Sequence, residues 1–193
     1  MMTNESDFIE YVADAVGDQD FKSLSSIVSD FSSFVFKQES EEQSEMWSAD
    51  FTDALLGIME RAEFLEWRNS FPLLMLFQSD WGRLTSADRI RVCHRLEQSY
   101  DKIRDHASHL VIVELLGEYL ADRNALEALD RLSSVDDHVA RAHVARGYGL
   151  LIKSTPDAAV IDDAMMALRR MTSDPSEVVS REAANVLSGI PMQ

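Results

Sequence analysis

Cys93 and His94 stand side by side, the two residue types that a thiol nucleophile and its base would supply. On a helix, neighbouring side chains point about 100° apart and cannot hydrogen-bond to each other. Cys93 also shares a helical face with Ile90 and Leu96, so a buried structural thiol is expected, because a reactive thiolate needs an exposed electropositive setting. His106 and His109 lie three residues apart, share a helix face and have Asp101 and Asp105 nearby, a spacing that could ligate a divalent metal. No second paired motif completes such a site, and His138 and His143, which flank a helix start, read as surface residues. Asp136-Asp137 and Asp162-Asp163 are paired carboxylates, but acid–base work needs one desolvated carboxyl facing its partner across a cleft. Near helix starts, negative charge complements the helix dipole instead. Gly17, Gly57, Gly82, Gly117 and Gly189 are isolated, and Gly147-Tyr148-Gly149 sits inside a helical pattern, so no loop cradles a phosphate. The expectation from these residues is no catalytic residue, no metal ligand and no cofactor.

One segment points instead to binding. Between Glu39 and Phe51 the chain places Glu39, Glu41, Glu42, Glu45 and Asp50 beside Trp47 and Phe51, which lie one helical turn apart. Carboxylates with aromatics are the mixture expected of a docking surface for a basic protein. These seven residues are the candidate partner-binding site. The competing reading places Trp47 and Phe51 in the core and the glutamates in a solvated loop and helix start.

The charge distribution bears on the same question. The 193-residue chain carries a formal net charge of −16, which repels nucleic-acid phosphates and anionic membrane surfaces and attracts basic partners. Between Glu5 and Glu66 there are 16 acidic residues against three basic ones (Lys22, Lys37 and Arg61), a net of −13, so the remainder carries −3. Of the 16 aromatic residues, 13 lie between Phe8 and Trp81. The acidic start of the chain lacks the basic n-region and apolar stretch of a secretory signal. No window reaches the roughly 18 uncharged apolar residues of a membrane span. A lone cysteine, Cys93, forms no intramolecular disulfide, and a cytoplasmic setting is expected.

The elements that must position these residues read as helices throughout, since Gly (7) and Pro (4) are scarce and helix formers dominate. Helical spacing of apolar residues is expected over Asp7 to Val16, Asp20 to Phe36 and Glu42 to Arg68, followed by a short apolar segment from Leu73 to Phe77 and a turn at Trp81-Gly82. The later part contains an internal repeat. Ala128-Leu129-Asp130-Arg131-Leu132 matches Ala167-Leu168-Arg169-Arg170-Met171 at an offset of 39, and Val139-Ala140-Arg141 matches Val179-Ser180-Arg181 at 40. In the later copy Pro156-Asp157 opens a first helix carrying Val160, Ile161, Ala164, Met165, Leu168 and Met171. Asp174-Pro175 then breaks it, with Asp174 as the expected N-cap of a second helix that ends at Gly189.

Asp174-Pro175 followed by Val179, Arg181, Ala184 and Leu187 resembles the second half of a HEAT repeat. The earlier copy, with Asp137, Val139, Arg141, Val144 and Gly147, keeps the Val and Arg but lacks the Pro, and a weaker third copy would use Ile90, Cys93 and Leu96 and then Val113, Leu115, Leu116 and Gly117. The resemblance covers roughly residues 86 to 190. It implies an all-α fold, a short α-α superhelix of HEAT-like hairpins over 86–193 with an acidic, aromatic-rich helical cap over 1–85, one compact unit overall. HEAT-like proteins that remove alkylated bases from DNA need a basic concave face, from which this chain departs. At the level of charge and fold, the chain also resembles bacterial immunity proteins, which neutralise a toxin by covering its active surface. The expected function is therefore a non-catalytic module that binds and inhibits a basic toxin, for example a nuclease. The alternatives are a HEAT-like adaptor in a larger complex and a metal-dependent enzyme using His106 and His109. Another protein, not nucleic acid and not a membrane, is the expected partner.

Overall fold

The structure, a computed structural model, describes residues 5–39 and 46–190, with the side chains of 32–39 left aside. All regular structure among the described residues is helical, with no strand, so the all-α class expected from composition is what the chain adopts. No described helix is long and apolar enough to cross a membrane. The chain divides into two compact units, residues 1–95 with 102–108, and residues 96–101 with 109–193.

The first unit contains α1 (Glu5–Gly17), α2 (Phe21–Glu39), α3 (Ala49–Met59), α4 (Ala62–Glu66), α5 (Phe71–Ser79), a 3-10 turn at Trp81–Arg83 and the start of α6 (Ser86–Ser99). Helix α1 packs on α2, α3 and α4, and α2 packs on α5. The aromatic enrichment of this region is its core. Phe8 and Phe31 lie 4.2 Å apart between ring centres, Phe51 stacks on Phe31, and Trp47 meets Phe51 edge-on at 5.0 Å and Phe77 at 5.7 Å. The three tryptophans, Trp47, Trp67 and Trp81, are all buried in this unit. The long helix expected over Glu42 to Arg68 is broken where the structure describes it: α3 stops at Met59 and α4 restarts at Ala62. On one continuous helix Met59 and Phe64 would point about 140° apart, whereas the break lets both be buried.

The second unit contains the remainder of α6, the end of α7 (His106–Glu114), a π-helical stretch at Leu115–Leu120, α8 (Arg123–Leu132), α9 (His138–Ser154), α10 (Ala158–Met171) and α11 (Glu177–Ser188). The helices α8 and α9 form one hairpin and α10 and α11 the next, with α8 against α10 and α9 against α11. Asp122, Asp137 and Asp157 accept backbone N–H groups at the starts of α8, α9 and α10, satisfying donors that a helix start leaves open. The cap expected at Asp174 falls elsewhere: α11 begins at Glu177 after Ser176. Asp174 accepts the Ser176 N–H and pairs through both carboxylate oxygens with Arg141 of the preceding hairpin. Further ion pairs join residues at separations near the repeat offset, Arg123 with Asp163, Arg131 with Glu97 and Arg146 with Glu182. In the region of the weaker third copy, Cys93, Leu96, Val113, Leu115 and Leu116 are buried, but Ile90 is 44% exposed.

Helix α9 is buried over most of its length, and its glycines make that possible. A Cβ on Gly147 would lie 2.6 Å from Leu129 Cδ2 and 3.1 Å from Val113 Cβ. One on Gly149 would overlap Val186, and one on Gly117 would overlap the Gly147 carbonyl oxygen. The π-helical stretch that carries Gly117 ends at Ala121 in a left-handed conformation, φ 50°. A Cβ on Gly57 in α3, by contrast, would meet nothing within 4 Å. Gly117→Ala is therefore expected to destabilise the protein by about 1–3 kcal/mol, despite the better helix propensity of alanine. Gly57→Ala should stabilise it by about 0.5–1 kcal/mol. Urea unfolding of the two variants checks this, and equal effects would contradict it.

The Arg141 guanidinium, hydrogen-bonded to Asp174, holds that carboxyl below the ordinary aspartate range. A depressed folded-state value means the stabilisation is complete above pH about 4 and is lost as pH falls through the folded value. Wild-type stability should therefore drop more steeply with acid than that of Asp174→Asn, with the two curves converging at the acid end. Parallel curves in thermal unfolding between pH 2 and 6 would contradict this, the window following from the reference aspartate value of about 3.9.

Candidate functional site

The seven residues singled out for binding do not form one described surface. Glu41, Glu42 and Glu45 and the side chain of Glu39 lie outside the described residues. Trp47 is 4% and Phe51 3% exposed, so both belong to the aromatic core of the first unit, which corrects the expectation that they present an open docking face. The physical reason is the break-and-cap geometry around them. Ser48 caps α3 by accepting the Phe51 N–H at 3.0 Å, and the Trp47 N–H is tied to the Arg83 carbonyl, so both rings turn inward between α1, α2 and α5. Only Asp50, among the described members, faces solvent.

The Cys93-His94 and His106/His109 pairs each divide between a buried and an exposed position. Cys93 is buried while His94 is exposed. His106 is exposed, whereas His109 is buried in the second unit, where its Nε2–H donates to the Tyr100 carbonyl at 2.8 Å and its ring lies 4.5 Å from the Tyr100 ring. Tyr100 donates its own hydroxyl to the Ala140 carbonyl, and burial pushes that phenol well above its ordinary range. Among the described residues no three His, Cys, Asp or Glu side chains gather as a metal site would require. Asp137 caps α9, and Asp163 pairs with Arg123.

Among the described residues of the first unit, the most enclosed carboxylate is Asp105, 5% exposed. It accepts from the Phe71 N–H at the start of α5, the Ala107 N–H at the start of α7 and the Ser108 hydroxyl, which in turn meets Ser70 Oγ at 3.1 Å. Every described partner is a donor at a helix start or a hydroxyl tied to one. The group is a double N-cap and not an acid or base facing a cleft.

What remains outward is the acidic ridge of α1. Phe8, Val12, Ala15 and Val16 face the core, and the opposite face carries Asp7, Glu10, Tyr11 and Asp14, with Asp18 in the turn just past the helix. Glu10, Asp14 and Asp18 are exposed and form no ion pair with any described residue, and Tyr11 is 45% exposed between them. This ridge escaped the sequence reading because no single residue in it is unusual. The signal was available only as the complement of the buried stripe on the same helix.

In the second unit an open cleft of about 530 Å³ runs between α8 and α10, lined by Arg123, Leu126, Glu127, Asp130, Asp163, Met166, Arg169 and Arg170. A second one of about 440 Å³ shares Asp130 and Arg170 and reaches Tyr148, whose buried hydroxyl donates to Asp130. Both have charges of either sign that are largely committed to each other. No family model, curated protein or solved structure matches the chain.

Asp105→Ala is expected to cost about 2–4 kcal/mol, since two helix starts and a buried hydroxyl lose their acceptor together. Asp105→Asn, which still offers one carbonyl oxygen, should cost about half as much. Equal losses in chemical denaturation would show that the carboxylate charge, not the capping geometry, is what matters.

Proposed function

We propose that the protein is a non-catalytic binding module of HEAT-like helical hairpins that engages a basic protein through its acidic first unit, in the manner of an immunity-type inhibitor. The observation that carries this reading is the α1 ridge. Glu10 and Asp14 of α1 are a like-charge pair at i, i+4, costing about 0.2–0.5 kcal/mol of helix stability, and Asp18 adds a third carboxylate in the turn just past the helix end. Asp14 also sits in the last turn of α1, which has no basic residue to complement the negative end of the helix dipole. Charges placed against both local rules serve something other than the fold. A carboxylate ridge supplies the contacts that a nuclease makes with phosphate, and it speeds encounter with a cationic surface.

The adaptor reading has one observation in its favour. The cleft between α8 and α10 is open and carries Met166, 54% exposed, between charges of both signs, a surface suited to holding a peptide segment.

The two readings separate on salt and on one variant. Captured from extracts of its native host and identified by mass spectrometry, the partner of the wild type is expected to be basic. Its association rate should fall about tenfold or more as salt rises from low to physiological and beyond. The variant Glu10→Gln, Asp14→Asn, Asp18→Asn should associate about tenfold more slowly while being no less stable in thermal unfolding. Capture of the same neutral or acidic partners by both proteins would replace this reading with the adaptor.

A further inference from the structure

Helix α5 has no charged residue in its whole length, FPLLMLFQS. Pro72, Leu73, Leu74, Leu76 and Phe77 fill the core, which leaves Phe71, half-buried, and Met75, exposed, one turn apart on one face. A helix on the surface of a charge-rich protein ordinarily carries polar residues there. Met75 is 44% exposed, and Phe21 at the start of α2, which packs on α5, is 42% exposed with its ring 5.9 Å from that of Phe71. Scattered exposed apolar residues need no explanation, but two exposed ones joined by a half-buried ring, Phe71, across two packed helices do.

Beside the patch, acidic residues outnumber the one adjacent cation, Lys22. Asp18 and Asp20 lie in the connection that leads into Phe21, and Glu63 of α4 is brought to the same connection by Gln19, whose Nε2 donates to the Glu63 carbonyl at 3.2 Å. Gln19 holds φ 51°, a left-handed backbone that costs a non-glycine residue about 1 kcal/mol. That turn sets the acidic connection beside the apolar run.

We infer that Phe21, Phe71 and Met75 are the apolar anchor of a docking surface for a basic amphipathic helix of a partner protein. Such a helix offers apolar residues at i, i+4 and i+7 to the two rings and the thioether, and lysine or arginine on its flanks to Asp18, Asp20 and Glu63. Phenylalanine faces also accept a guanidinium, and methionine adapts its shape to the partner. A second copy of this chain would bring a −16 surface against its like, and an anionic bilayer is repelled for the same reason. The inference rests on the reading of a basic partner and names where that partner is gripped.

The test uses the full chain and two dye-labelled synthetic peptides of one composition, leucine with lysine and arginine, one patterned as an amphipathic helix and one scrambled. In anisotropy titrations the patterned peptide should bind about tenfold tighter than the scrambled one. That advantage should vanish in Phe21→Ser, Met75→Ser, while Val178→Ser, exposed in the second unit, retains it. Circular dichroism reports whether the double variant is folded. Should it not be, methyl-labelled wild type replaces it, and the Met75 methyl signal must shift as the patterned peptide is added. Equal binding of both peptides, or an unmoved Met75 signal, overturns the anchor while leaving the acidic reading intact. Binding of neither peptide overturns both. Self-association of the wild type that the double variant loses assigns the patch to a second copy and overturns the inference as well.

Discussion

The close approach at Gly147 is the constraint around which the second unit is arranged. Helix α9 can lie against the π-helical stretch, α8 and α11 only because, at the crossing points, Gly117, Gly147 and Gly149 present bare backbone where a methyl group would collide. Backbone-to-backbone contact on this scale removes polar groups from water, which is tolerable in a helix because its hydrogen bonds are satisfied internally. Of the surrounding ion pairs, Arg146 with Glu182 lies partly in solvent, where it orients neighbouring hairpins more than it stabilises them, whereas Arg141 with Asp174 is largely shielded from water.

The first unit solves the same packing problem by the opposite means. Its core is assembled from large rings, Phe8, Phe31, Trp47, Phe51 and Phe77, so its helices are held apart by side chains instead of drawn together by their absence. Such a core buries much apolar area per residue, which leaves the exterior free to carry charge in excess. The acidic residues of α1 then stand on a scaffold that can tolerate their mutual repulsion.

Much of the secondary structure could be read from the chain, because helical spacing and caps are local properties. Asp157 before α10 and Gly189 after α11 fall where their types place them. What could not be read was decided by packing between residues far apart in sequence. The helix break at Glu60 has neither glycine nor proline to announce it and follows from the burial of Phe64. Trp47 and Phe51 at one-turn spacing fit a docking face and a core equally well, and only the position of Phe77 and Phe8 decides between them. Asp174 was recognisable as a turn residue, but its pairing with Arg141, 33 residues away, depends on how two hairpins stack.

Because Trp47, Trp67 and Trp81 all lie in the first unit, and the second holds only the tyrosines Tyr100, Tyr119 and Tyr148, the molecule carries a built-in division of spectroscopic labour. Indole emission reports the solvent exposure of the aromatic core alone, while far-ultraviolet dichroism sums helices over both units. Where the two signals melt together, the protein behaves as one cooperative body. Where they part, the interval between them measures how independently the acidic unit and the hairpins unfold.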